Sequence, residues 1–327
     1  MLVRMRHELP PGPRGVVEVA RAFRDFNANP PATVLRMSRR WGDLSSFTLL
    51  NEDVVILNDP ALVGEVLLDK DDVWRKDKIL RSLSVILGRG LLTAEGDLWR
   101  KQRKLIAPSL TKKHIASYAD AMVRATSAYV ASLEPGATRD VHADMSKVTL
   151  EIVVATLFGT AIRGGHEVVG GAVDAVMNDF TTLVHSWRRL FPLSTPFAAR
   201  RRLPRTIRSI DAIVFEVIEQ RKREGAKGDD LISRLLEARD DAGRGMSDDQ
   251  LRDEAVTLFV AGHETTANAL SFTLMLLGDH PSIDAQVADE IARVLGGRAP
   301  TADDVPALKV TEAVLKESMR LYPPAYF

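Results

Sequence analysis

One helical pattern late in the chain limits the architectures open to this sequence more than any other feature. Ser247 can cap a helix, and Gln250, three residues on, supplies an S-x-x-Q capping box. The helical period then continues to Leu277 and stops at Gly278-Asp279-His280-Pro281, glycine followed by proline. About 31 residues at 1.5 Å each make a rod of roughly 46 Å. A helix of that length crosses a whole domain, and the other elements must pack along it.

Most of the remaining pattern is also helical. Two short β signals, Ser45 to Leu50 and Val54 to Asn58, flank Asn51-Glu52-Asp53 and predict a hairpin. Helical spacing covers Pro60 to Leu68, Gly96 to Ala107, His114 to Leu133, Lys147 to Phe158, Val168 to Val184 and Pro204 to Glu224. Two further helices follow, Ser282 to Leu295, ended by Gly296-Gly297, and about Pro306 to Leu321, ended by Pro323-Pro324. No repeat of solenoid length is present. The expectation is a mainly α fold with a small β-sheet; length alone allows one large domain or two medium ones.

Composition narrows the function classes. The 44 basic and 44 acidic side chains cancel, so no long-range field favours nucleic acid or an anionic membrane. The local cluster Arg200-Arg201-Arg202 reads first as a solvated loop. Apolar runs fall well short of the roughly 18 residues that a membrane span needs, and Met1 to Pro10 has no apolar targeting core. A cytoplasmic chain with no membrane anchor is expected, led in by the stiff segment Leu9-Pro10-Pro11-Gly12-Pro13. The sequence contains no cysteine, which excludes disulfides, zinc–thiolate sites and cysteine nucleophiles within these residues.

Three constellations can carry chemistry. The long helix is apolar at Leu258-Phe259-Val260 and at Leu270-Ser271-Phe272, yet Ala261-Gly262-His263-Glu264-Thr265-Thr266 lies between them. Gly262 costs about 1 kcal/mol in a helix interior and leaves room for a flat ligand at the backbone. Thr265 can bond back to the carbonyl of Ala261, so a carboxylate, a hydroxyl and a loosened backbone together could relay protons into a dry site. The alternative is a Thr-rich packing helix with Glu264 reaching solvent. A zinc-protease reading of His263-Glu264 fails, because H-E-x-x-H needs a second histidine where this chain has Ala267. Trp99 and Arg103, four apart, share a helix face and pair an indole N–H with a guanidinium, a donor set suited to a carboxylate or phosphate. A packed tryptophan beside a solvated arginine is the simpler account of the same spacing. Glu317 and Arg320 can pair along the last helix, for a few tenths of a kcal/mol if exposed.

In this order and spacing the three segments resemble the cytochrome P-450 superfamily. Its C-helix W-x-x-x-R matches Trp99 and Arg103, its I-helix A-G-x-[DE]-T-[TS] matches Ala261 through Thr266, and its K-helix E-x-x-R matches Glu317 and Arg320. The flanks Gly88-Arg89-Gly90-Leu91-Leu92 and Arg320-Leu321-Tyr322-Pro323-Pro324 are similar too. The resemblance implies a cytochrome P-450 fold and a haem b cofactor. It also implies insertion of one atom of O2 into a lipophilic substrate, with electrons from a separate ferredoxin or flavin reductase.

By that resemblance Trp99 and Arg103 bond a haem propionate, and Ala261, Gly262 and Thr265 lie against the haem face. Glu264 and Thr265 deliver the protons for O–O cleavage, and Leu92 sits near the substrate pocket. Glu317 and Arg320 form a buried structural pair. The family holds iron by a cysteine thiolate on a glycine-rich loop after E-x-x-R. This sequence carries neither that loop nor any cysteine, so no metal ligand is assigned, and none of His7, His114, His142, His166, His185, His263 and His280 stands where the family places one.

The resemblance implies a single domain over residues 1–327, about the N-terminal three quarters of the family's fold, lacking the C-terminal strands, the cysteine loop and the last helix, and inactive in isolation. A ligand-binding remnant or half of a split enzyme are the alternatives. The inner face of Pro306 to Leu321 and much of the Val256 to Met275 stripe are expected to lack partners, giving marginal stability.

Overall fold

A computed structural model of the chain describes residues 9–49, 52–68, 73–159, 171, 197–225 and 228–325. The chain forms two compact units, Met1–Arg75 and Lys76–Phe327. Among the described residues no helix is long and apolar enough to cross a membrane.

In the first unit, helices α1 (Gly15–Ala28) and α2 (Pro30–Trp41) precede strands β1 (Leu44–Leu49) and β2 (Glu52–Leu57) and helix α3 (Pro60–Leu67). Asn29 starts α2 by accepting from the Ala32 N–H, with Pro30 at the first position, where the missing N–H costs nothing. The strands pair antiparallel from Leu44↔Leu57 to Leu49↔Glu52, as the hairpin reading expects. The Pro-rich lead-in packs on β1. Ser46 N–H donates to Pro11 O at 2.9 Å, and a Cβ on Gly12 would collide with the Ser46 carbonyl, so only glycine fits there.

The second unit begins with α4 (Lys78–Ser82), α5 (Ser84–Leu87), α6 (Gly96–Ile106), α7 (Lys112–Ser117), α8 (Ala119–Ala131) and α9 (Val141–Leu157). It continues with α10 (Phe197–Arg223), α11 (Leu231–Glu237), α12 (Asp248–Asp279), α13 (Pro281–Leu295) and α14 (Lys309–Leu321). The long rod is α12, with 32 residues, capped where the sequence places the cap: Ser247 Oγ accepts from Gln250 N–H at 3.2 Å. Its buried positions Leu251, Ala255, Phe259, His263 and Ala267 recur every fourth residue and form one ridge. The ridge packs mainly on α9, with Phe158 and Phe259 ring centroids 6.0 Å apart. Around it lies one core, built also from Ile86, Leu87, Ile106, Val214, Ile218, Ile232 and Leu235.

Four differences from the sequence reading have local causes. The helix expected from His114 to Leu133 breaks at Tyr118, whose N–H turns back to Ile115 O and closes α7. Helix α9 starts at Val141 rather than near Lys147, because Asp140 accepts from Ala143 N–H and sets the cap earlier. The segment from Pro306 divides into a 3-10 turn, Ala302–Ala307, and α14; Thr301 and Asp304 form a capping box for the turn. The Val256 to Met275 stripe is not bare along its length. Val256 and Phe259 are buried beneath the neighbouring helices, and the exposed large side chains are Leu274 and Met275. The helix expected from Val168 to Val184 lies outside the described residues apart from Gly171, as do His166 and His185.

Candidate functional site

Two clusters hold Ala261 to Thr265 and Trp99 with Arg103, a glycine-rich segment that carries Leu92 links them, and Glu317 and Arg320 stand apart. The first lies midway along α12. Thr265 Oγ1 donates to Ala261 O at 2.6 Å, the back-bond expected from the spacing. Ala261 and Glu264 are exposed and Thr265 half-buried, and the i, i+3, i+4 spacing puts all three on one face. His263 points the other way: it is buried, and its Nε2 meets the Ser146 carbonyl at 3.0 Å, which satisfies a polar ring set into an apolar ridge. His263 therefore joins α12 to α9. Gly262 also faces α9, since a Cβ there would lie 3.4 Å from Val153 Cγ2.

The second cluster is on α6. Arg103 lies over the Trp99 ring, its guanidinium carbon 5.0 Å from the centroid. The other cations of this helix are neutralised: Arg100 by Asp97 at 2.6 Å, Lys101 by Asp240 at 3.2 Å and Lys104 by Asp241 at 2.5 Å. Among the described residues Arg103 has no carboxylate partner, so it stands exposed and charged, held in orientation by the indole. Leu92 is part-exposed at the end of the segment before α6.

No hydrogen bond, ion pair or ring contact among the described residues joins the two clusters directly. The backbone of residues 88–95 makes the connection. Arg89 N–H donates to Asp253 Oδ2 at 2.7 Å and Leu91 N–H to Glu254 Oε2 at 2.9 Å, both on α12, while Gln102 Nε2 of α6 donates to Arg89 O at 2.6 Å. A Cβ on Gly88 would overlap the Asp253 carboxylate and one on Gly90 the Thr257 hydroxyl, so this close approach requires both glycines. Glu254 is fully buried, and burial pushes its carboxyl up to about 7. Sequence reasoning missed Glu254, although a signal existed: it is three residues past Leu251 and four before Leu258, where the helical period calls for an apolar side chain.

Glu317 and Arg320 form a two-pronged pair, both contacts at 2.7 Å, but 56% and 66% of their side-chain surface remains exposed. The expected burial of this pair is corrected: it lies on a face of α14 that no described element covers. Below it, Glu290 of α13 accepts from Val310 and Thr311 N–H at 2.8 and 2.9 Å, capping the start of α14 from a neighbouring helix. Among the described residues no group of His, Asp and Glu side chains is arranged to hold a metal ion.

Residues 10–327 match the family described as cytochrome P-450. The chain belongs to the cytochrome P-450 family. It is 35% identical over 290 residues to cyclooctat-9-en-7-ol 5-monooxygenase of Streptomyces melanosporofaciens, covering 87% of this chain and 62% of the relative. Cyclooctatin synthase of the same organism is 31% identical over 330 residues, 98% of this chain and 70% of that protein. Pentalenene oxygenase of Streptomyces avermitilis is 31% identical over 290 residues, 87% and 63% respectively. This cytochrome P-450 chain thus spans between 62% and 70% of the length of these relatives.

Membership implies a haem iron cofactor. The donor set fits one edge of that group: Arg103 is an oriented guanidinium without a carboxylate, and a propionate is the anion that such a fork binds. The axial thiolate is not among these 327 residues, which contain no cysteine. The cytochrome P-450 residues present therefore fit the propionate edge of the haem.

Proposed function

We propose that this chain serves haem-dependent monooxygenation. One atom of O2 enters a C–H bond of a lipophilic substrate and the other leaves as water, with two protons and two electrons supplied; a separate ferredoxin or flavin reductase provides the electrons. The observation that carries the reading is the Thr265–Ala261 bond on the open face of α12, in a chain that matches one family across residues 10–327. The single match over both units also supports treating them as one domain.

Each residue then has a task. Trp99 and Arg103 hold a propionate through the indole N–H and the guanidinium. Ala261 and Thr265 supply the helix surface on the haem face, while Gly262, expected there from the resemblance, turns towards Val153 of α9. Haem, when bound, supplies activation of O2 at its iron. Thr265 Oγ1 donates to Ala261 O and keeps its lone pairs free to accept a proton donor, and exposed Glu264 takes up protons from solvent. Leu92 lines the substrate pocket, and Glu317 pairs with Arg320 at the exposed surface of α14.

The names of two relatives, which denote an alkene and an alkenol as substrates, support a substrate with few polar groups. Balanced surface charge and the lack of a spanning helix among the described residues favour a cytoplasmic location. Labelling with 18O2 tests the reading. The haem-loaded holoenzyme with an electron donor and a lipophilic substrate should place one labelled atom in product and one in water; an unlabelled product would refute it.

A further inference from the structure

The segment from Gly88 to Glu95 is held by more side chains than a connecting loop needs. Lys76 Nζ donates to Leu91 O at 3.1 Å and Ala94 O at 2.5 Å, and its backbone N–H donates to Glu95 Oε1 at 2.6 Å. Thr93 Oγ1 donates to Gly88 O at 2.7 Å. With Arg89 N–H on Asp253, Leu91 N–H on Glu254 and Gln102 on Arg89 O, backbone groups at Gly88, Arg89, Leu91 and Ala94 are each fixed by a side chain. Three buried oxygens around the segment, Glu254 Oε1, Thr257 Oγ1 and Gln102 Oε1, have no hydrogen-bond partner among the described residues.

We propose that Glu254 and Lys76 are positioning residues: they clasp Leu91 by its N–H and its carbonyl, and so set where Leu92 faces the substrate pocket. The inference rests on the haem-enzyme reading for the role of Leu92 but on geometry alone for the clasp. Leu91 is gripped from opposite sides by a carboxylate of α12 and an ammonium from the start of the unit. The neighbouring peptide, carrying Leu92, has little freedom left. The charges facing Glu254 are Lys76 across the loop and Asp253 beside it on α12, while Gln102 of α6 adds a neutral amide to the same segment. Burial raises Glu254 and lowers Lys76, which favours the neutral form of each; a neutral carboxyl still accepts from the Leu91 N–H.

The test compares Glu254→Leu, which removes the acceptor, with Glu254→Gln, which keeps an acceptor oxygen and loses the charge. Hydrogen exchange of the Leu91 amide and binding of the lipophilic dye Nile red are measured on the full chain. Glu254→Leu should speed Leu91 exchange about 10-fold or more and weaken dye binding by a similar factor. Glu254→Gln should return both to within about 3-fold of the parent, and amides of α9 should not change in either variant. Should Glu254→Leu fail to fold, Lys76→Met, which removes the two donors to the loop carbonyls, should speed the same amide. Unchanged Leu91 exchange overturns the clasp, and faster exchange with unchanged dye binding overturns the positioning role. If exchange responds but the unsubstituted chain binds neither haem nor dye, the clasp stands and the haem-enzyme reading falls.

Discussion

Thr265 donates its hydroxyl to the carbonyl of Ala261 at 2.6 Å, one turn back along a helix of 32 residues. That bond draws a backbone acceptor away from ideal helix pairing at the point where the helix presents Ala261, Glu264 and Thr265 on one open face. Thr265→Ala should leave folding nearly unchanged and cut product formed per electron consumed by roughly 100-fold, with Thr265→Ser keeping most of it. Coupling of donor oxidation to product in the holoenzyme is the measurement.

Arg103 stands over Trp99 with no carboxylate partner among the described residues, so its loss should be felt by a bound anion and not by the fold. Arg103→Ala should weaken haem affinity about 10- to 100-fold, the worth of a charge-assisted hydrogen bond, and change unfolding free energy by no more than about 0.5 kcal/mol. Haem titration and urea unfolding of the same preparations separate the two effects.

His263 makes the opposite prediction. Its buried ring ties α12 to α9 through the Ser146 carbonyl at 3.0 Å. His263→Ala should cost about 2 kcal/mol of stability through the lost bond and the space left behind, visible as a lower urea midpoint with unchanged slope.

Glu254 sets a pH dependence with a definite sign. Its carboxyl ordinarily titrates near 4.5 and is raised to about 7 in the fold, chiefly by burial, with Asp253 raising it further and Lys76 and the Leu91 N–H opposing. The folded state thus holds the proton more tightly than the unfolded chain, so this group's stabilising contribution is complete below about 4.5 and is lost as pH rises through about 7. Glu254→Gln does not titrate, so its stability relative to the parent should rise between pH 5 and 8 by up to about 3 kcal/mol. A difference in melting temperature that does not vary with pH would contradict this.

The exposed Glu317–Arg320 pair should contribute little in this chain. Glu317→Ala is expected to leave the urea midpoint essentially unchanged, checked by the same unfolding assay.

What the sequence made legible follows from which signals are local. The α12 cap at Ser247, the hairpin and the Thr265 back-bond depend on residues within a few positions of one another and each formed, although Glu52 and Asp53, read as loop, pair with Leu49 and Thr48 in the hairpin. Helices α1, α2, α4, α5 and α11 were not anticipated. Helix α11 spans only seven residues, too few for a periodic pattern to stand out, and Asp230 caps it through Ser233. The loop clasp was invisible because Leu91 and Glu254 lie 163 residues apart, and no local rule pairs a backbone N–H with so distant a carboxylate. The burial of Glu317 and Arg320 was read from resemblance, and the surface of this chain does not provide it.

The measurement that bears most directly on the account is the reduced, carbon-monoxide difference spectrum of the 327-residue chain titrated with haem. The account assigns these residues the propionate contacts and the helix on the haem face, and assigns the thiolate to residues outside them. It predicts saturable haem binding that weakens in Arg103→Ala and a carbon-monoxide band that is not of the thiolate type. A thiolate-type band from this chain alone, or no saturable haem binding, would contradict it.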